Sequence, residues 1–525
     1  MNPTETDEWR QLAQIASTLT NTPSSTLIAE PHRHAALQHG LAGCSYDFTK
    51  QRFSAAQLPS LFRLATALKV EEKRDQMLAG QVINTSENRA VLHTALRGGA
   101  NLADQTLLDS IDQQRLHMYE LAGSIRDGHW RGHTGKPIAD VVHIGIGGSH
   151  LGPQLVIEAL ANASTCQLNI HFVANIDAHD LDAVLPKLNP ETTLFIIASK
   201  SFSTLETQVN ASSARSWFLE RGGRREDIAT HFVAVTNNVE AAAKFGLPEE
   251  NLLPVSDWVG GRFSLWSSVG LPIAIKIGSE NHQALLDGAK QMDQHFAQAE
   301  CDTNIPILSA LFATWNFNFL GAASHAVLSY DERLRLLPSF LQQLEMESNG
   351  KSVDIDGQPV NFHTMAVLWG GTGTNGQHAY HQLLHQGTRA FSADFIVVGK
   401  DDHGRREHHD WLMANAFGQS QAMAQGYQTE SEPHRNVAGN HPNTVIVLDE
   451  LGPQQLGGLL ATYEHKVFVQ AVIWNINAFD QWGVELGKNL SVPIYSALQG
   501  DLVADSLDPS TQGLVNSVKK PQNPT

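Results

Sequence analysis

The chain has 525 residues, of which 42% are hydrophobic and 17% charged, with a formal net charge of -18. That length calls for two or three lobes, and that composition belongs to a folded globular protein. The acidic balance argues against a general nucleic-acid binder, which needs a basic surface, but it leaves room for a small anionic substrate in a locally positive pocket.

Three cysteines, Cys44, Cys166 and Cys301, lie far apart with no CxxC pair. A disulfide framework or a zinc site is not expected, and a reducing, cytoplasmic location fits. The first residues are acidic and carry no apolar core of a signal peptide. No apolar run approaches the ~20 residues needed to span a bilayer.

In chain order, residues 1–115 read as mainly helical, with a helix over 58–77. From 141–146 onward, short apolar runs alternate with helical patterns: strands are expected at 141–146, 168–173, 193–198 and 232–235. After a helical middle section come further strands at 364–369, 395–398 and 444–448, then a long helix over 453–477. Alternating strand and helix predicts an α/β fold with doubly wound parallel sheets. The expected organisation is a helical N-terminal part of the large lobe (1–115), a smaller lobe (116–280), a larger lobe (281–490) and a C-terminal arm (491–525), with the two lobes joined near 275–300. The end of the chain, from Lys519 to Thr525, reads as a frayed polar tail.

Two turns could hold a phosphate. Gly145-Ile146-Gly147-Gly148-Ser149-His150-Leu151-Gly152-Pro153 follows a strand, and Pro153 suits a first helical turn. A plain tight turn explains it equally well, and its spacing is not the G-x-G-x-x-G of a dinucleotide site. Ser199-Lys200-Ser201-Phe202-Ser203-Thr204-Leu205-Glu206-Thr207 follows the apolar strand ending at Ala198. Ser203 and Glu206 have capping-box spacing, so a helix is expected to start there. N-capping needs one hydroxyl, and Ser199, Ser201, Ser203 and Thr204 with Lys200 exceed that need.

Four further segments carry chemistry. Arg262 follows Gly260-Gly261, which would let its guanidinium reach a buried spot; a solvated turn is the plain alternative. Glu345 and Glu347 are two residues apart and cannot share a helical face, so at most one points into a site. Asn349-Gly350 would make an ordinary helix cap there. Four glycines within 370–376 lead to His378 and read as a loop packed tightly around something. Asp480 to Lys488 is expected to close the long C-terminal helix, with a Glu485–Lys488 ion pair as the plain reading. His403, His408 and His409 cluster near Arg405 and Arg406, which would repel a metal ion; with 25 histidines in the chain, chance explains the cluster.

Together these segments resemble the glucose-6-phosphate isomerase family over nearly the whole chain. Gly260-Gly261-Arg262-Phe263-Ser264 and Phe479-Asp480-Gln481-Trp482-Gly483-Val484-Glu485-Leu486-Gly487-Lys488 look like its two signatures. Between them, in the family's order, stand Met346-Glu347-Ser348-Asn349-Gly350-Lys351 and Gly373-Thr374-Asn375-Gly376-Gln377-His378, with Glu87-Asn88-Arg89-Ala90-Val91-Leu92-His93 upstream. The resemblance implies two sugar-isomerase lobes in a homodimer that interconverts glucose 6-phosphate and fructose 6-phosphate through a cis-enediolate, without a metal or cofactor. It implies Glu347 as the proton-moving base, Arg262 as the cation facing the enediolate, and His378, from the neighbouring subunit, with Lys488 in ring opening. Ser199, Lys200, Ser201 and Thr204 would hold the phosphate, with Gly148 and Ser149 beside the sugar and Gln343 and Gln481 as further contacts.

The sequence departs from the family pattern in places. Ser201 and Ser203 stand where threonine is common, Leu205 where glutamine is frequent, and His150 where aspartate is frequent. His150 would add a titratable group near the sugar and shift the pH dependence. The weighed alternatives are a non-catalytic sugar-phosphate sensor, a nicotinamide oxidoreductase, and an isomerase of another sugar phosphate such as mannose 6-phosphate.

Overall fold

The structure, a computed structural model, describes residues 1–19, 22–99, 102, 104–500 and 507–519. The polar tail expected at the end therefore lies, beyond Lys519, outside the described residues. The chain forms two compact units, Met1–Ala478 and Phe479–Thr525.

Strands of the first unit, in chain order, are β1 (Gln38–Leu41), β2 (Cys44–Asp47), β3 (Val82–Asn84), β4 (Arg89–Ala90), β5 (Asp140–Ile144), β6 (Asn169–Val173), β7 (Thr193–Ala198), β8 (Phe232–Val235), β9 (Leu252–Leu253), β10 (Ser324–Tyr330), β11 (Val367–Thr372), β12 (Phe391–Val398) and β13 (Asn443–Leu448). A five-stranded sheet has the order β6-β5-β7-β8-β9, and all its pairings are parallel. β7 is buried at every position, as expected for a strand covered on both faces. Phe195 of β7 stacks on Phe232 of β8 with ring centroids 4.7 Å apart, in a core that also takes in Trp217 and Phe218.

A six-stranded sheet has the order β1-β2-β13-β12-β10-β11. Its four C-terminal strands are mutually parallel, and the β1–β2 hairpin joins antiparallel to β13. The doubly wound α/β architecture expected from the alternation is thus present, with two corrections. The N-terminal segment is not only helical, since its hairpin extends this sheet. The middle section is not only helical either, since β10 lies inside the sheet between β12 and β11. His325 and Ser329 interrupt the apolar run of β10 yet are buried, so it does not read as a strand.

The helix expected over 58–77 is two helices, Leu58–Ala67 and Val70–Leu78. Lys69, left-handed with φ 59°, breaks the helical ladder between them. The long helix is Pro453–Ile473, buried over most of its circumference, including Glu464, His465 and Lys466.

The second unit contains a short turn Trp482–Val484 and the helices Glu485–Gln499 and Pro509–Val518. Asp480 to Lys488 therefore does not close the long helix, which ends at Ile473. It leads instead into a separate helix that begins at Glu485.

Candidate active site

The turn after β5 meets the segment before Arg262 backbone to backbone. A Cβ on Gly148 would stand 1.8 Å from the carbonyl oxygen of Gly261, so only glycine allows this approach. Ser264 Oγ donates to Gly261 O at 2.6 Å and seals the contact. His143 Nε2 donates to Ser149 O at 2.6 Å. Burial pushes the His143 imidazole down to about 4, so it holds this turn as a neutral ring with the proton on Nε2.

Arg262 lies in the 3-10 helix Gly261–Trp266, with its side chain 2% exposed. Its Nε donates to Ser348 Oγ at 2.6 Å and its Nη2 to Ala478 O at 2.5 Å, while Nη1 stands 3.3 Å from Glu347 Oε2. The solvated-turn reading of Arg262 is thereby excluded. Gln343 Nε2 donates to the same Glu347 oxygen at 3.2 Å.

Glu345 and Glu347 do diverge. The stretch Gln342–Glu347 is π-helical. Glu345 is fully buried, and both its oxygens accept from Lys466 Nζ at 2.9 and 3.0 Å. Glu347 is 25% exposed and faces Arg262. Asn349 is not a solvated cap: it is buried and donates to Val467 O at 3.0 Å.

The hydroxyl-rich loop sits at the carboxyl end of β7, where open α/β sheets bind ligands. The following helix, Leu205–Glu220, has Thr204 at its N-cap with no side-chain capping bond. The expected Ser203–Glu206 capping box is therefore not what starts it. Ser203 Oγ instead donates to Ser201 Oγ at 2.6 Å, and Ser199 Oγ donates to Thr204 Oγ1 at 3.1 Å. Lys200 Nζ is held by Asp257 O at 3.1 Å and Asp257 Oδ1 at 3.2 Å. Ser199, Lys200, Ser201, Thr204 and Asp257 share one open cleft with Ser149, Asn237 and Arg89. A lysine, a ring of hydroxyls and the N-terminus of a 16-residue helix there suit a phosphate monoester.

Gly370 and Gly371 lie within β11, and Gly373–Gln377 is a short helix, so the glycine-rich stretch is not the loop expected. The tight packing is real: a Cβ on Gly370 would meet Val327 O at 1.9 Å, and one on Gly373 would meet the Tyr330 ring at 2.4 Å. His378 follows this helix, is solvent-exposed, and makes no side-chain hydrogen bond to the described residues. In the second unit Gln481 is exposed, and Lys488 pairs with Glu485 at 2.9 Å while 66% exposed.

His403 pairs with Asp401 and His409 lies against Gly399 O, and among the described residues no group of three or more His, Cys, Asp or Glu could hold a metal. His150 packs edge-on against Phe172, and burial lowers its pKa despite Asp180 nearby. Sequence reasoning assigned no role to Arg89, Asn237, Asn238 or Asp257. Asn238 Nδ2 donates to Ser201 O at 3.0 Å, and Arg89 Nη1 reaches Asp257 O at 3.5 Å. Arg89 belongs to the segment Glu87–His93; the two asparagines follow β8, where only the sheet order brings them beside the loop after β7.

Comparison with known proteins settles the family. The Phosphoglucose isomerase family profile matches residues 47–515. The chain belongs to the phosphoglucose isomerase family. It is 46% identical to the glucose-6-phosphate isomerase of Shewanella woodyi, covering 98% of this chain and 99% of the relative. It is 46% identical to that of Pseudomonas aeruginosa, covering 98% and 97%. Among solved structures, a glucose-6-phosphate isomerase from Chlamydia trachomatis superposes with a TM-score of 0.87 at 31% identity, covering 98% of this chain and 99% of that one. A hypothetical protein from Thermus thermophilus follows with a TM-score of 0.65 at 26% identity, covering 84% and 98%. No helix among the described residues is long and apolar enough to cross a membrane.

Proposed function

As a member of the phosphoglucose isomerase family the chain interconverts glucose 6-phosphate and fructose 6-phosphate, and we propose that Glu347 is the base that carries the proton between C2 and C1. The observation that carries this assignment is the buried Arg262 guanidinium 3.3 Å from the Glu347 carboxylate. Removing a proton from C2 of the open aldose leaves a planar cis-enediolate with charge on its oxygens. Arg262, permanently cationic and anchored by Ser348 and Ala478, is placed to stabilise that charge. Glu347 returns the proton to C1 on the same face, and Gln343 steadies its carboxylate.

Ser199, Lys200, Ser201 and Thr204 hold the phosphate, with Gly148 and Ser149 beside the sugar. Gln481 and Lys488 are assigned by resemblance to substrate contact and ring opening. Ring opening requires one proton given and one taken, and His378 is assigned to it from the partner subunit of a homodimer. Two features support the dimer. The His378 side chain is exposed and makes no hydrogen bond to the described residues. The second unit also leaves Leu486, Leu490, Tyr495 and Leu514 more than half exposed, a pattern that suits an arm laid on a partner. The lobe limits 116–280 and 281–490 belong to the same reading. Three free cysteines support a reducing, cytoplasmic setting.

The deciding experiment is conversion of fructose 6-phosphate to glucose 6-phosphate, read by a coupled dehydrogenase with chelator present, for wild type and Glu347→Gln. A kcat about 1,000-fold lower in a folded variant is expected for loss of a positioned base. Equal rates would remove Glu347 from the mechanism, and inhibition by chelator would overturn its metal-free form.

A further inference from the structure

Behind the phosphate loop lies a second cavity, which shares Ser199 with the phosphate cleft. It measures about 360 Å³, enough for a small ring compound. It opens between the helices Leu205–Glu220 and Val239–Phe245. Phe202, Ala211 and Phe245 form an apolar floor, and Arg215 and Lys244 stand around it.

Arg215 is fixed rather than free. Its guanidinium lies 4.5 Å above the Phe245 ring, and Nη1 donates to Phe245 O at 3.2 Å, at the C-terminal end of that helix. No carboxylate pairs with it among the described residues, so donors remain for an anion. Thr207 lines both this cavity and the phosphate cleft. It is 2% exposed, and its Oγ1 has no hydrogen-bond partner among the described residues. An unpaired buried hydroxyl is costly, and a ligand would satisfy it.

The wall between cavity and cleft is the phosphate loop itself. Phe202 sits between Ser201 and Ser203 in a left-handed conformation, φ 53°, unusual for a bulky residue. Its carbonyl is held by Gln208 Nε2 at 2.8 Å, and Gln208 also lines the cavity. A molecule packed against Phe202 therefore bears directly on the backbone that presents Ser201 and Thr204.

We propose that this cavity binds a small amphipathic anion, an aromatic carboxylate or sulfonate, with its ring on Phe202, Ala211 and Phe245 and its charge on Arg215. Occupancy supports the left-handed Phe202 and so tightens phosphate binding in the neighbouring cleft, and by linkage phosphate tightens the anion. This coupling rests on the reading of Ser199 to Thr204 as the phosphate site; binding in the cavity does not.

The test is a fluorescence titration of the full-length native protein with 8-anilinonaphthalene-1-sulfonate, with and without inorganic phosphate. Saturable binding at one site per chain is expected. Arg215→Gln is expected to weaken it by about tenfold or more, the value of a charge-assisted hydrogen bond. Ser212→Trp, from an exposed position on the cavity, is expected to abolish it. Both variants should melt at the wild-type temperature. Equal binding in wild type and both variants, or no saturable binding, overturns the site. Phosphate is expected to lower the probe's Kd in wild type and not in Lys200→Gln. Intact probe binding that phosphate leaves unchanged overturns the coupling. If Lys200→Gln also leaves the KM for fructose 6-phosphate unchanged, the fault lies in the phosphate reading.

Discussion

Arg262 and Glu347 face each other at 3.3 Å, the arginine sealed in protein and the glutamate one-quarter exposed. The asymmetry matters. A buried guanidinium held by Ser348 and Ala478 cannot swing away, whereas the carboxylate is partly exposed. A lysine at 262 would keep the charge and lose the planar fork that reaches three partners at once. Arg262→Lys is therefore expected to lower kcat roughly 100-fold, the cost of a misplaced oxyanion donor, with a much smaller change in KM. Steady-state kinetics on fructose 6-phosphate checks this, and a pure KM effect would count against the enediolate role.

The Gly148–Gly261 contact separates two superficially similar substitutions. Gly148→Ala would drive a methyl group into the Gly261 carbonyl at 1.8 Å, whereas a Cβ on Gly261 meets nothing within 4 Å. Gly148→Ala is expected to lose most activity and several degrees of melting temperature, and Gly261→Ala to melt like wild type. Thermal melts of the pair decide it.

Lys200 is the one basic side chain of the hydroxyl-rich loop. Lys200→Met is expected to raise the KM for fructose 6-phosphate about tenfold, the value of one charged contact, while kcat changes less. Parallel kinetics of wild type and variant give the split. A fall in kcat alone would move Lys200 away from the phosphate.

Asp293, fully buried, accepts from Arg97 Nε and Nη2 at 2.7 and 2.6 Å and lies 2.7 Å from His465 Nε2. Burial alone would push its carboxyl up, but Arg97 and His465 outweigh that and hold it down. Asp293→Ala leaves the Arg97 charge with Glu464 as its remaining carboxylate. A loss of about 3–5 kcal/mol in urea denaturation is expected for breaking a buried pair. Stability within 1 kcal/mol of wild type would mean that the network relaxes around the gap.

Acid should unfold this chain through its histidines. Burial holds His143, His282 and His441 down to about 4, against about 6.5 in the unfolded chain. Between those values the unfolded state binds more protons. The stability these rings contribute is therefore present above pH ~6.5 and is lost as pH falls toward 4. At pH 5 each contributes a penalty of about 2 kcal/mol by linkage. Melting temperature is expected to fall steeply below pH 6.5, and less steeply in His282→Gln. His150, also lowered by burial, is neutral above pH ~6.5. Any difference between the pH–rate profiles of wild type and His150→Asp that stems from the imidazole charge is therefore expected on the acid side.

The sequence alone determined the fold class and the family. Buried parallel strands such as Thr193–Ala198 are short continuous apolar runs, and the long motifs around Arg262, Glu347 and His378 are local in the chain. Tertiary structure alone decided where strands with polar residues lie. β10 carries His325 and Ser329, and the β1–β2 hairpin pairs with β13 some four hundred residues away; neither has a local periodic signature, because burial there comes from partners distant in sequence. It also decided which glutamate is partly exposed beside Arg262. Spacing showed that Glu345 and Glu347 diverge, but only the placement of Lys466 against one and Arg262 against the other assigned the buried ion pair and the open carboxylate.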